Sequence, residues 1–256
     1  MSPTATDFRR QVDHLETNSK VSTSYLSHFT DKFENLKKII ETGFRPSECD
    51  ETRIYEQDYH ELEVIRAWSA RFSGENTETE GNNETLEHKV PMVCFCDIPL
   101  KAITRHRKQY GPYSISLTKA WGIANGVSPM IYIPKDSDIH AIFRTIAAIK
   151  NRLSRTGSPE DPHPNQMVEQ LDKLFEFVKA YQCSTTGYKF YDEREWRYTP
   201  TTAFPFNPED TTQYLKFEKA DIISITVRNT KEKNQLIGVL REKFGYISSK
   251  RIKIKK

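Results

Sequence analysis

The chain has 256 residues, of which 29% are charged and 36% hydrophobic, and it carries a formal net charge of +3. A chain of this length buries enough surface to need no disulfide or metal to stabilise its core. Its longest apolar runs are far shorter than the roughly 20 residues that cross a membrane. The N-terminal segment is charged and has no targeting signal, and the four cysteines are irregularly spaced, as reduced thiols are. These features predict a cytoplasmic protein without membrane contact and argue against a secreted, disulfide-rich class.

Positive charge is concentrated at the C-terminus, at Lys250, Arg251, Lys253, Lys255 and Lys256. Clustered lysines and arginines release counterions from nucleic acid, so this segment is a candidate nucleic-acid contact. In residues 251–255, however, charged and apolar side chains alternate, which is the pattern of a half-buried edge strand. The edge strand is the favoured interpretation, and nucleic-acid contact is the alternative.

The first half of the chain is predicted to alternate strands with helices. An aromatic strand over residues 25–30 precedes a helix that ends near Thr42, where Gly43 supplies a C-terminal cap. A second helix covers residues 56–72, and it is followed by an acidic loop at about 73–88 that is too polar to bury. A buried strand over residues 90–97, a helix over 100–109 and a strand over 113–117 complete this half.

The second half is predicted to contain a helical hairpin between strands. Apolar side chains at helical spacing over residues 139–153 and 167–178 predict two helices, joined by a proline-containing loop. Strands are predicted at 130–133, 188–198, 213–217 and 222–227, followed by a helix that reaches Phe244 and by the basic strand. We therefore expect one α+β domain over residues 1–256, with a helical-hairpin insertion at about 137–182.

His28 is the first candidate for a chemical role, because it lies at the end of a strand just before a helix N-terminus. Such a position favours contact with a ligand. Strand alternation puts Leu26 and His28 on one face and Ser27 and Phe29 on the other. His28 is therefore either a ligand contact or a core histidine whose hydrogen bonds are satisfied within the fold.

The segment DEREWR at residues 192–197 offers two carboxylates flanked by aromatic residues. In an extended strand, Glu193, Glu195 and Arg197 share one face. Neighbouring carboxylates repel each other when both are ionised, which suits one of them to accept a proton or a hydrogen bond. The alternative is an exposed strand with cross-strand ion pairs, which contribute little stability. The flanking aromatic side chains indicate partial burial and favour the functional interpretation.

Cys94, Cys96 and His106 raise the question of a metal site. Structural zinc sites usually separate paired cysteines by roughly two to four residues and add a second matching pair, which this sequence lacks. We therefore interpret both cysteines as small core residues of an apolar strand and predict no metal. Asp97, at the end of that strand, is better placed to contact a ligand.

Four blocks of sequence resemble the AbiGi-type abortive phage-resistance proteins. They occur in the family's order over about residues 25–200: LSHFT at 26–30, VPMVCFCDIPL at 90–100, YGPY at 110–113 and DEREWR at 192–197. Members of that family are described as the antitoxin half of a phage-defence pair. The resemblance therefore implies a role in abortive infection, with a cognate toxin or a phage protein as partner.

The same order of blocks is also similar to ADP-ribosyltransferase folds, including DarT-like enzymes that modify nucleic acid. This likeness implies a split β-sheet core with peripheral helices and NAD as the substrate. By motif order, His28 would bind the nicotinamide-side ribose, Tyr110 or Tyr113 would stack on nicotinamide, and Glu195 would be catalytic. Release of nicotinamide develops positive charge, which a fixed carboxylate in a dry site stabilises.

The remaining predicted site residues follow from the same likeness. Glu193 would orient an acceptor, and Thr30, Asp97 and Arg197 would complete the set that binds NAD. The leading hypothesis is thus an ADP-ribosyltransferase-like enzyme of phage defence that modifies a macromolecule, and the alternative is a non-catalytic antitoxin or sensor that binds a toxin or phage component. The first hypothesis has a geometric requirement, namely that His28, an aromatic ring and the two glutamates line one pocket.

Overall fold

The structure is a computed structural model that describes residues 22–51, 88–99, 103–156, 163–183, 186–200 and 207–254. The helix predicted over residues 56–72, most of the acidic loop and the last two lysines lie outside these ranges. The chain divides into two compact units, one formed by Met1–Pro46, Val93–Pro129 and Glu193–Lys256, the other by Ser47–Met92 and Met130–Asp192. The expectation of one domain over the whole chain stays a prediction.

Strands and helices are numbered here in chain order. The described strands are β1 (Tyr25–Thr30), β2 (Ser47–Glu51), β3 (His88–Cys96), β4 (Tyr113–Thr118), β5 (Ser128–Pro129), β6 (Ile131–Ile133), β7 (Val178–Ala180), β8 (Glu195–Tyr198), β9 (Ile222–Val227) and β10 (Ile252–Ile254). The described helices are α1 (Phe33–Thr42), α2 (Thr104–Tyr110), α3 (Lys119–Ala124), α4 (Asp138–Thr156), α5 (His163–Phe175) and α6 (Thr230–Phe244). This mixture confirms the predicted α+β class.

The first unit is built on a sheet with the strand order β10-β9-β4-β1-β3-β8-β5. Neighbouring strands are antiparallel, apart from the parallel pair of β9 and β10. All six residues of β1 pair with β4 on one side, and β3 lies on the other side. Only β3 therefore separates the strand of His28 from the strand of Glu195.

One face of this sheet is apolar and carries the main core. Ile115 of β4 and Ile225 of β9 are fully buried there. Helices α1 and α6 cover this face. Each helix packs on the sheet through a stripe of apolar side chains spaced four residues apart. The helical members of the core cluster are Leu36, Ile40, Leu236 and Leu240.

The other face of the same sheet is polar. Ser27, Ser116 and Ser224 lie next to one another on β1, β4 and β9, and each is at most 1% exposed. The hydroxyl oxygens of Ser27 and Ser116 are 2.7 Å apart and share a hydrogen bond. The alternation predicted for β4 is thus confirmed, although its polar side chains are buried.

The second unit contains the predicted helical hairpin. Helices α4 and α5 pack around Phe143, Ala147 and Phe175, and β6 and β7 form a small parallel sheet beside them. In the same unit, β2 pairs with residues 88–92, the first half of β3. Among the described residues, no helix combines the length and the apolar character that a membrane crossing requires.

Three predicted elements differ from the structure because tertiary contacts override the local pattern. The helix predicted over 167–178 ends at Phe175, since residues 178–180 pair with β6. The strand predicted over 213–217 is a 3-10 turn, Thr211–Gln213, followed by a single bridge between Phe44 and Leu215. The strand predicted over 188–198 shrinks to β8, preceded by a 3-10 turn at Phe190–Glu193.

Two glycines allow close approaches that fix these elements. Gly43 ends α1 as predicted: its φ is +94°, and a Cβ there would lie 2.5 Å from the carbonyl oxygen of Leu215. Gly111 ends α2 with a φ of +112°, and a Cβ there would lie 2.3 Å from the carbonyl oxygen of Thr30. Because L-residues with a side chain rarely adopt such φ values, both turns require glycine.

Candidate functional site

His28 is an aromatic core contact. Its Nδ1 lies 2.8 Å from the carbonyl oxygen of Cys94, so the neutral ring donates a hydrogen bond to β3. The ring also meets Phe44 and Phe95 edge to face, at centroid distances of 5.2 and 5.7 Å. Burial lowers the pKa of His28, and the hydrogen bond to Cys94 only partly opposes that shift. The imidazole is therefore held neutral.

Glu195 forms an ion pair within its own strand. The Nε and Nη2 atoms of Arg197 donate to Oε1 of Glu195 at 2.9 and 2.8 Å. Both side chains are buried, with Arg197 only 1% exposed. The two residues share a face of β8, as alternation predicts.

His28 and Glu195 lie on opposite faces of the sheet. In the strand register, Ser27 is opposite Cys96, and Cys96 is opposite Glu195, so these three side chains share the polar face. His28, the residue after Ser27, points to the apolar face, where it contacts Phe44 and Phe95. The structure therefore does not place His28 and Glu195 in one pocket, because their side chains point to opposite faces of the sheet.

Glu193 belongs to the polar side of the unit but not to a strand. Arg194, with a φ of 45°, interrupts the extended backbone between Glu193 and β8, and its carbonyl oxygen accepts from the backbone N–H of Asp97. Glu193 is 4% exposed, and its Oε1 accepts a hydrogen bond of 3.1 Å from the hydroxyl of Tyr110. The structure thus brings together two of the predicted site residues, Tyr110 and Glu193.

His106, which the sequence suggested only as a possible metal ligand, lies beside Tyr110. It is 7% exposed, and its ring lies 5.6 Å from that of Tyr110 and 6.3 Å from that of Phe29. The signal that could have identified it is the spacing of His106 and Tyr110, because residues four apart on a helix share a face.

Cys94 and Cys96 lie two residues apart on β3 and therefore on the same, polar face as Ser27 and Glu195. Burial raises the pKa of the Cys96 thiol to about 12, with smaller contributions from the charges of Asp97 and Glu193. The thiol is thus protonated at neutral pH. Within the described part of the chain, no group of three or more His, Cys, Asp or Glu side chains is arranged to hold a metal ion.

Asp97 clamps three segments together. Its Oδ1 accepts from the backbone N–H and the hydroxyl of Thr23, at 2.6 and 2.8 Å. Its Oδ2 accepts from the hydroxyl of Ser22 and from Nζ of Lys119, both at 2.7 Å. Burial by itself would raise the pKa of Asp97, but these bonds together outweigh it and hold the pKa below its ordinary value. Both carboxylate oxygens are thus occupied within the fold.

Thr30 and Tyr113, which were predicted to contact NAD, pair with each other at the ends of β1 and β4. Both are buried, and Tyr113 belongs to the apolar core. The hydroxyl of Tyr113 donates a 2.8 Å hydrogen bond to Oε1 of Glu232 on α6. Burial, reinforced by that carboxylate, raises the pKa of Tyr113. Of the two tyrosines proposed for nicotinamide, Tyr110 is thus the one beside an acid of the predicted site.

Comparisons with known proteins agree with the predicted family. The model of a family described as "Putative abortive phage resistance protein AbiGi, antitoxin" matches residues 68–228, more than half of the chain. An "Abortive phage resistance protein AbiGi" of Lactococcus lactis subsp. cremoris is 28% identical over 211 residues, which covers 71% of this chain and 81% of the relative. No solved structure matches, so the ADP-ribosyltransferase-like core stays a prediction. The chain belongs to the AbiGi family of abortive phage resistance proteins.

Proposed function

We propose that this protein acts in phage defence by binding a toxin, as the antitoxin half of a pair, and not by transferring ADP-ribose. The observation that carries the proposal is the placement of His28 and Glu195 on opposite faces of one sheet. A transferase of the predicted kind needs both groups on one NAD molecule. The family description, which names an antitoxin, supports the same conclusion.

The bonding of other predicted NAD contacts also supports the proposal. The Nδ1 atom of His28, both oxygens of Asp97 and the hydroxyl of Tyr113 are engaged by partners within the first unit. Buried polar groups that are satisfied in this way stabilise a fold, and their release to a ligand would leave their partners unpaired. If the protein acts by binding a toxin, the role of these three residues is to stabilise the fold of the first unit.

Co-expression with a toxin identified among the products of the neighbouring genes tests the proposal. We expect the toxin alone to arrest growth, and the two proteins together to restore growth and to elute as one complex of defined mass. Ile115→Asp, which buries a charge in the core of the first unit, is the negative control and should abolish both effects. Growth arrest that continues during co-expression, without a complex, would refute the antitoxin role.

ADP-ribosyl transfer is the second candidate, and the polar face of the sheet is the observation that favours it. Glu193 and Glu195 are both buried there, and Tyr110 donates to Glu193. In this version the imidazole of the site would be His106, whose ring contacts Tyr110, in place of His28. Glu195 would stabilise the positive charge that develops as nicotinamide leaves. Nicotinamide is the product that distinguishes the two candidates.

A further inference from the structure

Helix α4 carries more apolar surface than the hairpin covers. On one side of α4, Phe143 and Ala147 are buried against α5. A second row of apolar side chains runs along the neighbouring side of the helix. Its members are Ile139, Ile142, Ile146 and Ile149. Three of them are 42%, 52% and 49% exposed, in the order Ile139, Ile142 and Ile149. Ile146 is half-buried because it also packs against the hairpin core.

This isoleucine row has the spacing of a helix–helix seam. The intervals between successive members are three, four and three residues, which are the a and d positions of a heptad repeat. The sequence of intervals reads the same in both directions. If a second α4 runs antiparallel about a two-fold axis at residue 144, Ile139 meets Ile149 of the copy and Ile142 meets Ile146.

Charge along α4 is arranged in the same self-complementary way. Asp138 begins the helix, and Arg152 lies toward its C-terminal end. Lys150 is used inside the hairpin, where its Nζ lies 2.6 Å from Oδ1 of Asp172 on α5. The antiparallel register about residue 144 places Asp138 within one helical turn of Arg152 of the copy, whereas a parallel register would place like charges together. Unlike charges beside a seam stabilise a pairing and set its direction.

From this row and these charges, we propose that α4 pairs antiparallel with α4 of a second copy of this chain. A two-fold interface uses one patch twice, so the patch must complement itself. The isoleucine row does so in its spacing, and Asp138 and Arg152 do so in their charges. The pairing would remove three exposed isoleucines from water, which is the driving force. This proposal does not depend on the proposed antitoxin function.

Light scattering after gel filtration tests the dimer. At tens of micromolar we expect the wild-type chain to show twice its monomer mass, and Ile142→Glu with Ile149→Glu to show the monomer mass. Ile123→Glu is the matched control, because Ile123 is 62% exposed on α3 in the first unit, and this variant should stay dimeric. Circular dichroism should show wild-type helix content in each variant, since the changed side chains are between 49% and 62% exposed. A monomeric wild type, or a dimer that survives the double substitution, would overturn the proposal.

Two single cysteines test the direction of pairing. Thr145 and Arg152 occupy the same heptad position one repeat apart. With a rise of about 1.5 Å per residue, the antiparallel register separates the two copies of Thr145 by about 3 Å along the axis and the two copies of Arg152 by about 24 Å. Thr145→Cys should therefore form a disulfide-linked dimer on mild oxidation, and Arg152→Cys should not, above the wild-type background. Equal linkage at both positions would contradict the antiparallel arrangement.

Discussion

His28 illustrates how a single side chain of this protein is fixed by its surroundings. Its ring fills space between Phe44 and Phe95, and its Nδ1–H satisfies the carbonyl of Cys94. Burial lowers its pKa, so the folded protein binds a proton at this residue less readily than the unfolded chain does. As the pH falls below the ordinary value of 6.5, protonation of the unfolded state should reduce stability.

His28→Phe should remove this pH dependence. At pH 7.5 we expect a loss of about 1 kcal/mol, because the ring is kept but the carbonyl of Cys94 loses its donor. Toward pH 5 the wild type should lose stability that the variant does not lose, so the two curves should converge. Urea unfolding at several pH values measures both effects. His163→Gln, a change at an exposed histidine, is the control and should follow the wild type. An unchanged gap from pH 7.5 to pH 5 would contradict the assignment of the shift to His28.

The sequence could predict part of this residue-scale arrangement. Alternation correctly placed Leu26 and His28 on one face, and it left open whether that face meets a ligand or the core. The answer depends on Phe44, which lies sixteen positions along the chain and reaches His28 only because α1 folds back over the sheet. Such a contact between distant residues has no signature in a local pattern.

Among the secondary-structure elements, Asp97 connects the end of β3 to the segment before β1 and to the start of α3. Its partners are Ser22, Thr23 and Lys119, and Lys119 also lies over the ring of Trp196, 5.2 Å from its centroid. Four hydrogen bonds on one buried carboxylate hold the three chain segments in register. The clamp depends on the carboxylate being ionised, because its partners all donate.

Asp97→Asn should destabilise the protein by about 2 kcal/mol at pH 7, since it removes the charge from these hydrogen bonds. The pKa of Asp97 is below its ordinary 3.8 when folded, so this stability is fully present above that value and is lost as the pH falls through the folded pKa. Chemical unfolding at pH 7 and near pH 3 should show the difference shrinking. Asp31→Asn, at an exposed site, should change stability by less than about 0.5 kcal/mol. A constant difference across this range would show that the carboxylate charge does not stabilise the clamp.

The same scale explains which elements were predictable. β1, α1, β4 and β9 follow from hydrophobic periodicity, because each buries a side that the pattern marks. The segment from Tyr188 to Tyr198 could not be predicted from periodicity, since Arg194 adopts a φ of 45° that breaks the strand. That conformation accompanies the bond from the backbone N–H of Asp97 to the Arg194 carbonyl, which is a tertiary contact. Glu193 was therefore predicted to lie in the same strand as Glu195, whereas it lies in the 3-10 turn that precedes β8.

For the whole molecule, the order of the sequence blocks agreed with the strands being neighbours, but it did not reveal which face of the sheet each candidate residue occupies. The strand order does bring β1, β3 and β8 side by side, as a common site would require. Which face each candidate residue occupies depends on the register between strands, and a shift of one residue would exchange the faces. That register separates His28 from Glu195 and leaves Tyr110 and His106 on the side of the acids. The family was predictable because it depends on sequence blocks alone.

Nicotinamide release from NAD tests whether this protein acts by binding, as we propose, or by catalysis. Purified wild type, Glu195→Gln and the control Glu34→Gln, changed at an exposed helix position, should be incubated with NAD, with and without the toxin and cell extract. We expect no nicotinamide above the enzyme-free blank from any of the three. Release by the wild type and by Glu34→Gln that disappears in Glu195→Gln would contradict the proposal and show that the protein cleaves NAD in a reaction that requires Glu195.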